Sequence, residues 1–380
     1  MSAVRTGRSA LPPSDPNKRQ GLLAGLHIDL PLLIGLLLLY AVGLAVLYSA
    51  SDGSWVRVEA QMARIGAALT ALFVFAQIPP QRLRRWTPWL YLAVIAMLVA
   101  VLVFGHVGKG AQRWLDLGIG RFQPAEFAKT TVPMMMAWYF SRHPLPPGWK
   151  DLAIATLLVL VPVLLIAKEP DLGTALLVAS AGVFVLFLAG VSWKLILGLG
   201  AALAAIAPLA WLFLMRDYQK QRVLTFLDPE QDPLGAGYHI IQSKIAIGSG
   251  GLWGKGFLNG TQSHLEFLPE RTTDFIFAVI GEELGLAGIL ALMALFLFVI
   301  LRGLYIATEA QDSYSRLLAG SLSLVLFVYL FVNTGMVTGL LPVVGVPLPF
   351  ISFGGTSLLT LSAGLGILMS IHTHRKLLPQ

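Results

Sequence analysis

The sequence predicts an all-α membrane protein with about ten transmembrane helices, and three observations support this fold class. First, 56% of the 380 residues are hydrophobic and only 12% are charged, roughly half the charged share of a soluble domain. Second, apolar runs of nearly helix-spanning length recur from end to end of the chain, which fits helices and not barrel strands. Third, Lys and Arg residues concentrate in the loops on one side of the predicted membrane spans, as they do in cytoplasmic loops.

The ten predicted spans follow one another along the chain, mostly with short loops between them. They cover residues 30–48, 61–78, 88–104, 124–140, 152–167, 172–190, 195–214, 275–301, 315–338 and 356–372. An even number of spans puts both termini on one side, and the bias of Lys and Arg predicts that this side is the cytoplasm. Residues 1–29 are polar and basic and predict a disordered cytoplasmic tail, so residues 30–376 would form a single transmembrane domain.

Composition excludes several other classes of protein. The net charge of +7 (27 basic minus 20 acidic residues) does not indicate nucleic acid, because the basic residues lie at span ends facing lipid headgroups. No cysteine is present, which excludes disulfides and thiolate chemistry. Residues 248–256 lack two positions of a phosphate-binding loop. The seven histidines have no zinc spacing, and His372 and His374 are expected in a solvated terminus.

The longest loop, residues 215–274, is predicted to be exoplasmic and to lie between the seventh and eighth spans. Its segments 218–227 and 238–247 mix apolar residues with Lys220, Arg222 and Lys244, as amphipathic helices at a membrane surface do. A long connection in an otherwise tightly connected protein is more often functional than not.

Asp274, where this loop meets the eighth span, is the strongest candidate for chemistry. A carboxylate that is partly removed from water at the membrane boundary is a better general base. The alternative is a helix N-cap, for which Asp is favoured. The substitution Asp274→Asn separates the two roles, because Asn can cap a helix and cannot accept the proton. Glu282 and Glu283, further along the helix, are expected to be functional because carboxylates inside a membrane are expensive.

Further charged residues lie near the predicted outer face. Glu126 and Lys129, spaced i, i+3, share a helix face and can neutralise each other in lipid, so a structural clamp and a role in chemistry both stay open. Trp114 alone is typical of an interfacial anchor, but beside the cations of its loop it is also a candidate for binding substrate. Residues 168–171 are expected to be a solvated turn, and the Pro- and Gly-rich residues 342–355 indicate a groove.

Cations that could hold a phosphate are Lys109, Arg113, Arg121, Arg216, Lys220 and Arg222.

These positions resemble the SEDS family of polytopic membrane proteins, named for shape, elongation, division and sporulation. Five motifs support the resemblance: RWLDLGIGRFQPAEFAK (113–129), EPDLGTA (169–175), NGTQSHLEFLPER (259–271), PLPFISFGGTS (347–357) and MSIHTHRK (369–376). Together they extend over nearly all of the chain after the tail. Arg271 after Glu270, with the last motif, is more similar to the elongation-type branch than to the division-type branch. The family usually has His where this chain has Thr272, which leaves open any role of that histidine.

The resemblance implies a peptidoglycan glycosyltransferase that polymerises lipid II at the periplasmic face of the inner membrane during elongation. It implies that Asp274 is the catalytic carboxylate and that Glu126 and Lys129 are paired buried ions, with Glu270 and Arg271 as further substrate-binding candidates. The expected partners are a class B penicillin-binding protein and the elongation machinery. Cations or a divalent metal, Mg or Mn, would stabilise the leaving pyrophosphate. The alternatives are a lipid II flippase, suggested by buried ions that include Arg64, and a non-catalytic scaffold for cell-wall enzymes.

Overall fold

The computed structural model describes residues 26–108, 111–116, 121–213, 217–229, 237–264, 268 and 270–374. Within these ranges the chain forms thirteen helices and three short strands. In chain order they are α1 (Leu30–Ala50), α2 (Trp55–Gln77), α3 (Pro80–Phe104), β1 (His106–Gly108), β2 (Ala111–Asp116), β3 (Arg121–Phe122), α4 (Pro124–Phe140), α5 (Trp149–Lys168), α6 (Leu172–Leu188), α7 (Trp193–Phe213), α8 (Asp217–Leu227), α9 (Tyr238–Gly250), α10 (Thr261–His264), α11 (Ile276–Thr308), α12 (Ser313–Val337) and α13 (Thr356–Thr373).

The helices confirm the all-α membrane fold, and each of the ten predicted spans coincides with one of them. Within the described ranges, seven helices are long and apolar enough to cross a membrane: α1, α2, α3, α5, α11, α12 and α13. The other three predicted spans correspond to α4, α6 and α7. Of these, α4 has only 17 residues and is buried on most of its surface, because α3, α5, α6, α12 and α13 pack around it. An interior helix need not be uniformly apolar, so α4 can carry the charged pair.

Local sequence sets the start of several helices. Asp29 accepts a hydrogen bond from Leu32 N (3.0 Å) at the N-cap of α1, and Asp312 does the same for Ser315 N (3.0 Å) at the start of α12. Both satisfy backbone N–H groups that have no partner within the helix. These caps fix where each span begins.

Contacts between α1 and α11 define the two ends of the bundle. Asp29 binds Arg302 of α11 (Oδ2–Nη2 2.6 Å), whereas Ser49 at the far end of α1 donates to Glu283 Oε1 (2.5 Å). The two helices are therefore antiparallel over about 30 Å, since a helix rises 1.5 Å per residue. The end that holds Asp274 and the strands is called here the site end, and the end that holds Asp29 the opposite end.

The opposite end corrects two expectations. Asp29 belongs to the predicted tail, yet only 3% of it is exposed. It binds His372 Nδ1 as well (2.9 Å), and His374 stacks on His27 with ring centroids 3.7 Å apart. The prediction of a solvated terminus for His372 and His374 is therefore wrong, because a buried carboxylate needs such partners. Residues 1–25, the rest of the predicted tail, lie outside the described residues.

The short loop before α4 contains an antiparallel sheet in the order β1-β2-β3 that was not predicted. His106 pairs with Trp114, and Asp116 pairs with Arg121. Strands this short leave almost no alternation in the sequence, and alternation is the signal by which strands are recognised.

The long loop contains both predicted helices, α8 and α9, but α9 is not a surface helix. Its side chains at Ile240, Ser243 and Ala246 are buried, and it packs along α11. This spacing forms one helical face. The apolar residues that indicated an interfacial helix therefore contact protein on that face.

The helix α11 is broken at Gly285, where φ is 64° and ψ is −162°, a conformation that favours glycine. The backbone groups released by the break pair with the segment 251–256, for example Glu282 O with Lys255 N (3.0 Å). Lys255 Nζ also binds Glu282 Oε1 (2.7 Å). Glu282 and Glu283 are thus fully buried residues that hold the long loop and α1 onto α11. Their contacts are structural, and protein covers the non-helical backbone as the membrane environment requires.

Candidate functional site

Asp274 lies in the turn 271–275, directly before α11 and recessed from the helix ends. Its carbonyl oxygen accepts a hydrogen bond from Asn333 Nδ2 (2.9 Å), and Asn333 lies four residues before the end of α12, or about 6 Å. The N-cap position of α11 is Phe275, with no side-chain cap. The N-cap alternative for Asp274 is therefore not confirmed.

Three consecutive carbonyl oxygens hold this turn in place. Besides that of Asp274, the carbonyls of Thr272 and Thr273 accept hydrogen bonds from Phe353 N (2.8 Å) and Ser352 Oγ (2.7 Å). The donors belong to the Pro- and Gly-rich segment between α12 and α13, which was predicted to form a groove. That segment therefore fixes the backbone of the turn.

The Asp274 carboxylate lies next to Gly345, one of the residues that line a cavity, but does not itself line it. Its Oδ2 lies 3.5 Å from where a Cβ on Gly345 would be, and Gly345 has φ +73°. A cavity of about 180 Å³ begins at this glycine. The residues that line it are Arg113, Trp114, Gln123, Glu126, Lys129, Asp171, Thr174, Leu177, Gly345, Val346, Pro347, Gly354, Gly355, Thr356 and Ser357.

The predicted pair of Glu126 and Lys129 lies in this wall. Lys129 Nζ is 2.6 Å from Glu126 Oε1 and donates to the hydroxyl of Tyr329 (2.5 Å). All three residues are buried, so the pair joins α4 to α12. Glu126 Oε2 has no hydrogen-bond partner within the described part of the chain. The pair thus has a clamping geometry and also faces the cavity, and both alternatives stay open.

Arg113 is held by backbone carbonyls of the turn between α5 and α6. Its Nε donates to Glu169 O (3.1 Å) and its Nη2 to Pro170 O. Because carbonyls are neutral, the guanidinium charge is not cancelled by these bonds. Arg113 lines the cavity and therefore stays a candidate for holding an anion there.

Two of the four residues in the turn between α5 and α6, Glu169 and Asp171, are buried, so the prediction of a solvated turn is wrong for them, whereas Lys168 is exposed. Only 1% of Glu169 and 6% of Asp171 are exposed. Asp171 accepts hydrogen bonds from Gln123 Nε2 (2.7 Å) and Thr174 N (3.1 Å). Burial raises the pKa of Glu169 to about 8, with a further rise from Asp171 and an opposing effect of Arg113. Glu169 is therefore mostly protonated at neutral pH.

Other predicted substrate-binding residues do not line the cavity. Arg271 Nη2 binds Asp52 Oδ2 (2.5 Å) just beyond the end of α1, so it anchors the Asp274 turn. Glu270 is exposed and accepts from Thr273 Oγ1 (2.8 Å). Lys220 lies on α8, away from the lining. Lys109 and Arg216 lie outside the described residues, as do the side chains of Arg121 and Arg222.

The predicted magnesium or manganese ion has no evident ligand set. Among the side chains that the structure describes, no three His, Cys, Asp or Glu residues are grouped as metal ligands would be. The metal stays a prediction.

Several site residues were missed in the sequence analysis. Asn333 and Tyr329 are polar groups within a membrane span, which is itself a signal of function. Asp171 was noticed, but its burial was not. Residues 354–357 at the start of α13 were quoted only as part of a motif.

The sequence is similar to proteins of known family. Residues 22–377 match the family model for FtsW, RodA and SpoVE, described as cell cycle proteins. The chain is 57% identical to the peptidoglycan glycosyltransferase MrdB of Escherichia coli K12, over 96% of this chain and 98% of MrdB. It is 38% identical to the probable peptidoglycan glycosyltransferase FtsW of Trichlorobacter lovleyi, over 92% of this chain and 94% of that protein.

Two solved structures are similar in fold, each over 92% of this chain. One chain belongs to a peptidoglycan synthase complex whose structure concerns the coordination of polymerization and crosslinking. It has a TM-score of 0.80 at 33% identity, with 99% of it covered. The other is the rod shape determining protein RodA of Thermus thermophilus, with a TM-score of 0.70 at 28% identity and 98% of it covered.

Proposed function

Because the chain belongs to the FtsW/RodA/SpoVE family of cell cycle proteins, we propose that it is a peptidoglycan glycosyltransferase. It polymerises lipid II into glycan strands during cell elongation. The observation that carries the proposal is the position of Asp274 beside a cavity lined by Arg113 and by the Glu126–Lys129 pair. The 57% identity to MrdB over nearly the whole chain supports the same reaction.

The proposed orientation places the site end at the periplasmic face of the inner membrane. Arg82, Arg84 and Arg85 open α3 where it leaves the opposite end, and Arg302 closes α11 there. Such basic residues are typical of the cytoplasmic side. Lipid II presents its polar head at the outer face and its apolar tail within the bilayer. A recessed cavity among membrane helices suits both parts.

Asp274 acts as the general base in this proposal. It accepts the proton of the acceptor sugar hydroxyl while that oxygen attacks the anomeric carbon of the donor sugar. The bond from that carbon to the pyrophosphate oxygen breaks, and undecaprenyl pyrophosphate leaves with the electron pair. A single displacement of this kind inverts the anomeric configuration. A retained configuration in the product would contradict it.

Arg113 is the proposed partner of the leaving pyrophosphate. Its guanidinium lines the cavity and is bonded to neutral carbonyls, so its charge can stabilise the oxygen anion that develops in the transition state. The Glu126–Lys129 pair is nearly neutral as a unit. Its proposed role is to shape the wall between Arg113 and α12.

A class B penicillin-binding protein, within the elongation machinery, is the proposed partner. The support is the similar chain that was solved within a peptidoglycan synthase complex. The partner would cross-link the strands that this chain makes. If the chain were instead a non-catalytic scaffold, it would still bind this partner, but it would not need a general base at Asp274.

The test is polymerisation of lipid II by the purified chain, with and without the partner, for the wild type and for Asp274→Asn. The proposal expects glycan strands from the wild type and none from the variant, with equal thermal midpoints. Polymerisation by Asp274→Asn at the wild-type rate would contradict the assignment of Asp274 as the general base. Transport of lipid II across vesicles without any polymer would support the flippase, and growth supported by Asp274→Asn would support the scaffold.

A further inference from the structure

We propose that Asn333 is a positioning residue, which holds the Asp274 turn against the cavity wall through two hydrogen bonds from one amide. This inference rests on the proposed function, because it concerns the placement of the proposed base. It adds to the site a residue of α12 that lies outside the cavity lining.

Asn333 joins two segments that are distant in the sequence. Its Nδ2 donates to Asp274 O (2.9 Å) and to Val346 O (2.8 Å). Both partners are carbonyl oxygens, which only accept, so the nitrogen of the amide must face them. Val346 lines the cavity. One side chain thus fixes the distance between the base and the wall that faces it.

The burial of Asn333 is not explained by stability alone. The residue is fully buried, and its Oδ1 accepts no hydrogen bond from the residues that the structure describes. A buried amide with one unsatisfied end is unfavourable, whereas leucine has a similar size and no such group. What the amide provides and leucine cannot is the two donated hydrogen bonds.

The position of the carboxylate depends on these two bonds. Asp274 Oδ2 lies 3.5 Å from where a Cβ on Gly345 would be, and Gly345 directly precedes Val346. Without the amide, the carbonyls of Asp274 and Val346 lose their common donor, and the turn can move relative to the wall. A misplacement of about 1 Å can cost on the order of a hundredfold in rate.

The matched experiment compares Asn333→Leu with Ser321→Ala in the full-length protein. Ser321 lies on the same helix, is fully buried and donates to Ala181 O (2.9 Å), away from the cavity. Both variants remove a buried side-chain donor to a backbone carbonyl, so both should lower the thermal midpoint. Only Asn333→Leu is expected to lower kcat for lipid II polymerisation, by about a hundredfold, with KM unchanged.

Equal kcat values in the two variants would overturn the proposal. If Asn333→Leu does not fold, Asn333→Ala takes its place, because it removes the amide without adding bulk. Its kcat is then compared with that of Ser321→Ala in the same way. Combined with Asp274→Asn, the loss of Asn333 should cause no further fall in kcat, because the two residues act as a unit.

Hydrogen exchange separates this inference from the proposed function. The backbone amides of residues 272–278 should exchange faster in Asn333→Leu than in Ser321→Ala, whether or not Asp274 is the base. Unchanged exchange there would contradict the positioning role. Activity retained by Asp274→Asn, together with faster exchange in Asn333→Leu, would contradict the base and leave the positioning of the turn intact.

Discussion

Asp29 at the opposite end differs from Glu126 and Glu169 at the site end in how completely its carboxylate oxygens are bonded. At the opposite end, both oxygens of Asp29 are bonded: Oδ1 accepts from Leu32 N and Arg302 Nε, and Oδ2 from Arg302 Nη2, with His372 also 2.9 Å from Oδ2. At the site end, Glu126 Oε2 and both oxygens of Glu169 have no hydrogen-bond partner among the described residues. A cavity of about 180 Å³ lies beside Glu126.

We interpret the Asp29 cluster as structural and propose that the unsatisfied carboxylate of Glu126, beside the cavity, serves a substrate. A buried carboxylate whose oxygens all accept hydrogen bonds from the protein stabilises the fold and has no free acceptor for a substrate. Unsatisfied buried groups are unfavourable for folding and persist where a ligand uses them. The comparison predicts that substitutions at the opposite end change stability alone, whereas those at the site end change turnover as well as stability.

The largest effect on stability is expected from Lys129→Met. This substitution leaves the buried Glu126 carboxylate without its cation, which typically costs about 3–5 kcal/mol. The thermal midpoint of the purified protein measures the loss. The double variant Glu126→Gln, Lys129→Met should recover most of it, and a double variant as unstable as the single one would contradict the clamp.

The matching change at the opposite end is Asp29→Asn. Asn keeps the cap on α1 but loses the charge that binds Arg302, so stability should fall by roughly 1.5–3 kcal/mol, the range for hydrogen bonds to charged groups. Turnover per folded molecule should stay at the wild-type value. A fall in turnover at unchanged stability would break the distinction between the two ends.

Arg113→Lys tests the anion site with a smaller expected effect. Lysine keeps the charge but cannot reproduce the fork that donates to two carbonyls while facing the cavity. The expected loss in kcat/KM for lipid II is about tenfold, or about 1.4 kcal/mol. Equal kinetics for Arg113→Lys and the wild type would show that the arginine does not contact the pyrophosphate.

Glu169→Gln is expected to act through the pH dependence of stability. In the unfolded chain Glu169 loses its proton near the ordinary glutamate pKa of 4.5, whereas the folded protein keeps it up to about pH 8. Stability from this group is therefore present at low pH and is lost as pH rises to about 8. The thermal midpoint of Glu169→Gln relative to wild type should increase between about pH 5 and about pH 8. A constant difference would contradict the raised pKa.

Much of the fold could be predicted from the sequence because a membrane span leaves a long apolar run. The motif around Asp274 and the i, i+3 spacing of Glu126 and Lys129 are equally local. Contacts between distant residues leave no such pattern. The bonds from Asp29 to Arg302, and from Asn333 to Asp274, join residues hundreds or tens of positions apart. Tertiary packing therefore decided which polar residues are buried, as for Asp171, where a solvated turn was expected.

The central claim is that the carboxylate of Asp274 performs the chemistry, whereas that of Asp29 only supports the fold. The most direct measurement is the initial rate of lipid II polymerisation per folded molecule for Asp274→Asn and Asp29→Asn. We expect Asp274→Asn to lose about 10²–10⁴-fold, the contribution of a general base, at wild-type stability, and Asp29→Asn to keep its rate at reduced stability. Equal rates in the two variants, or the reverse order, would contradict the account.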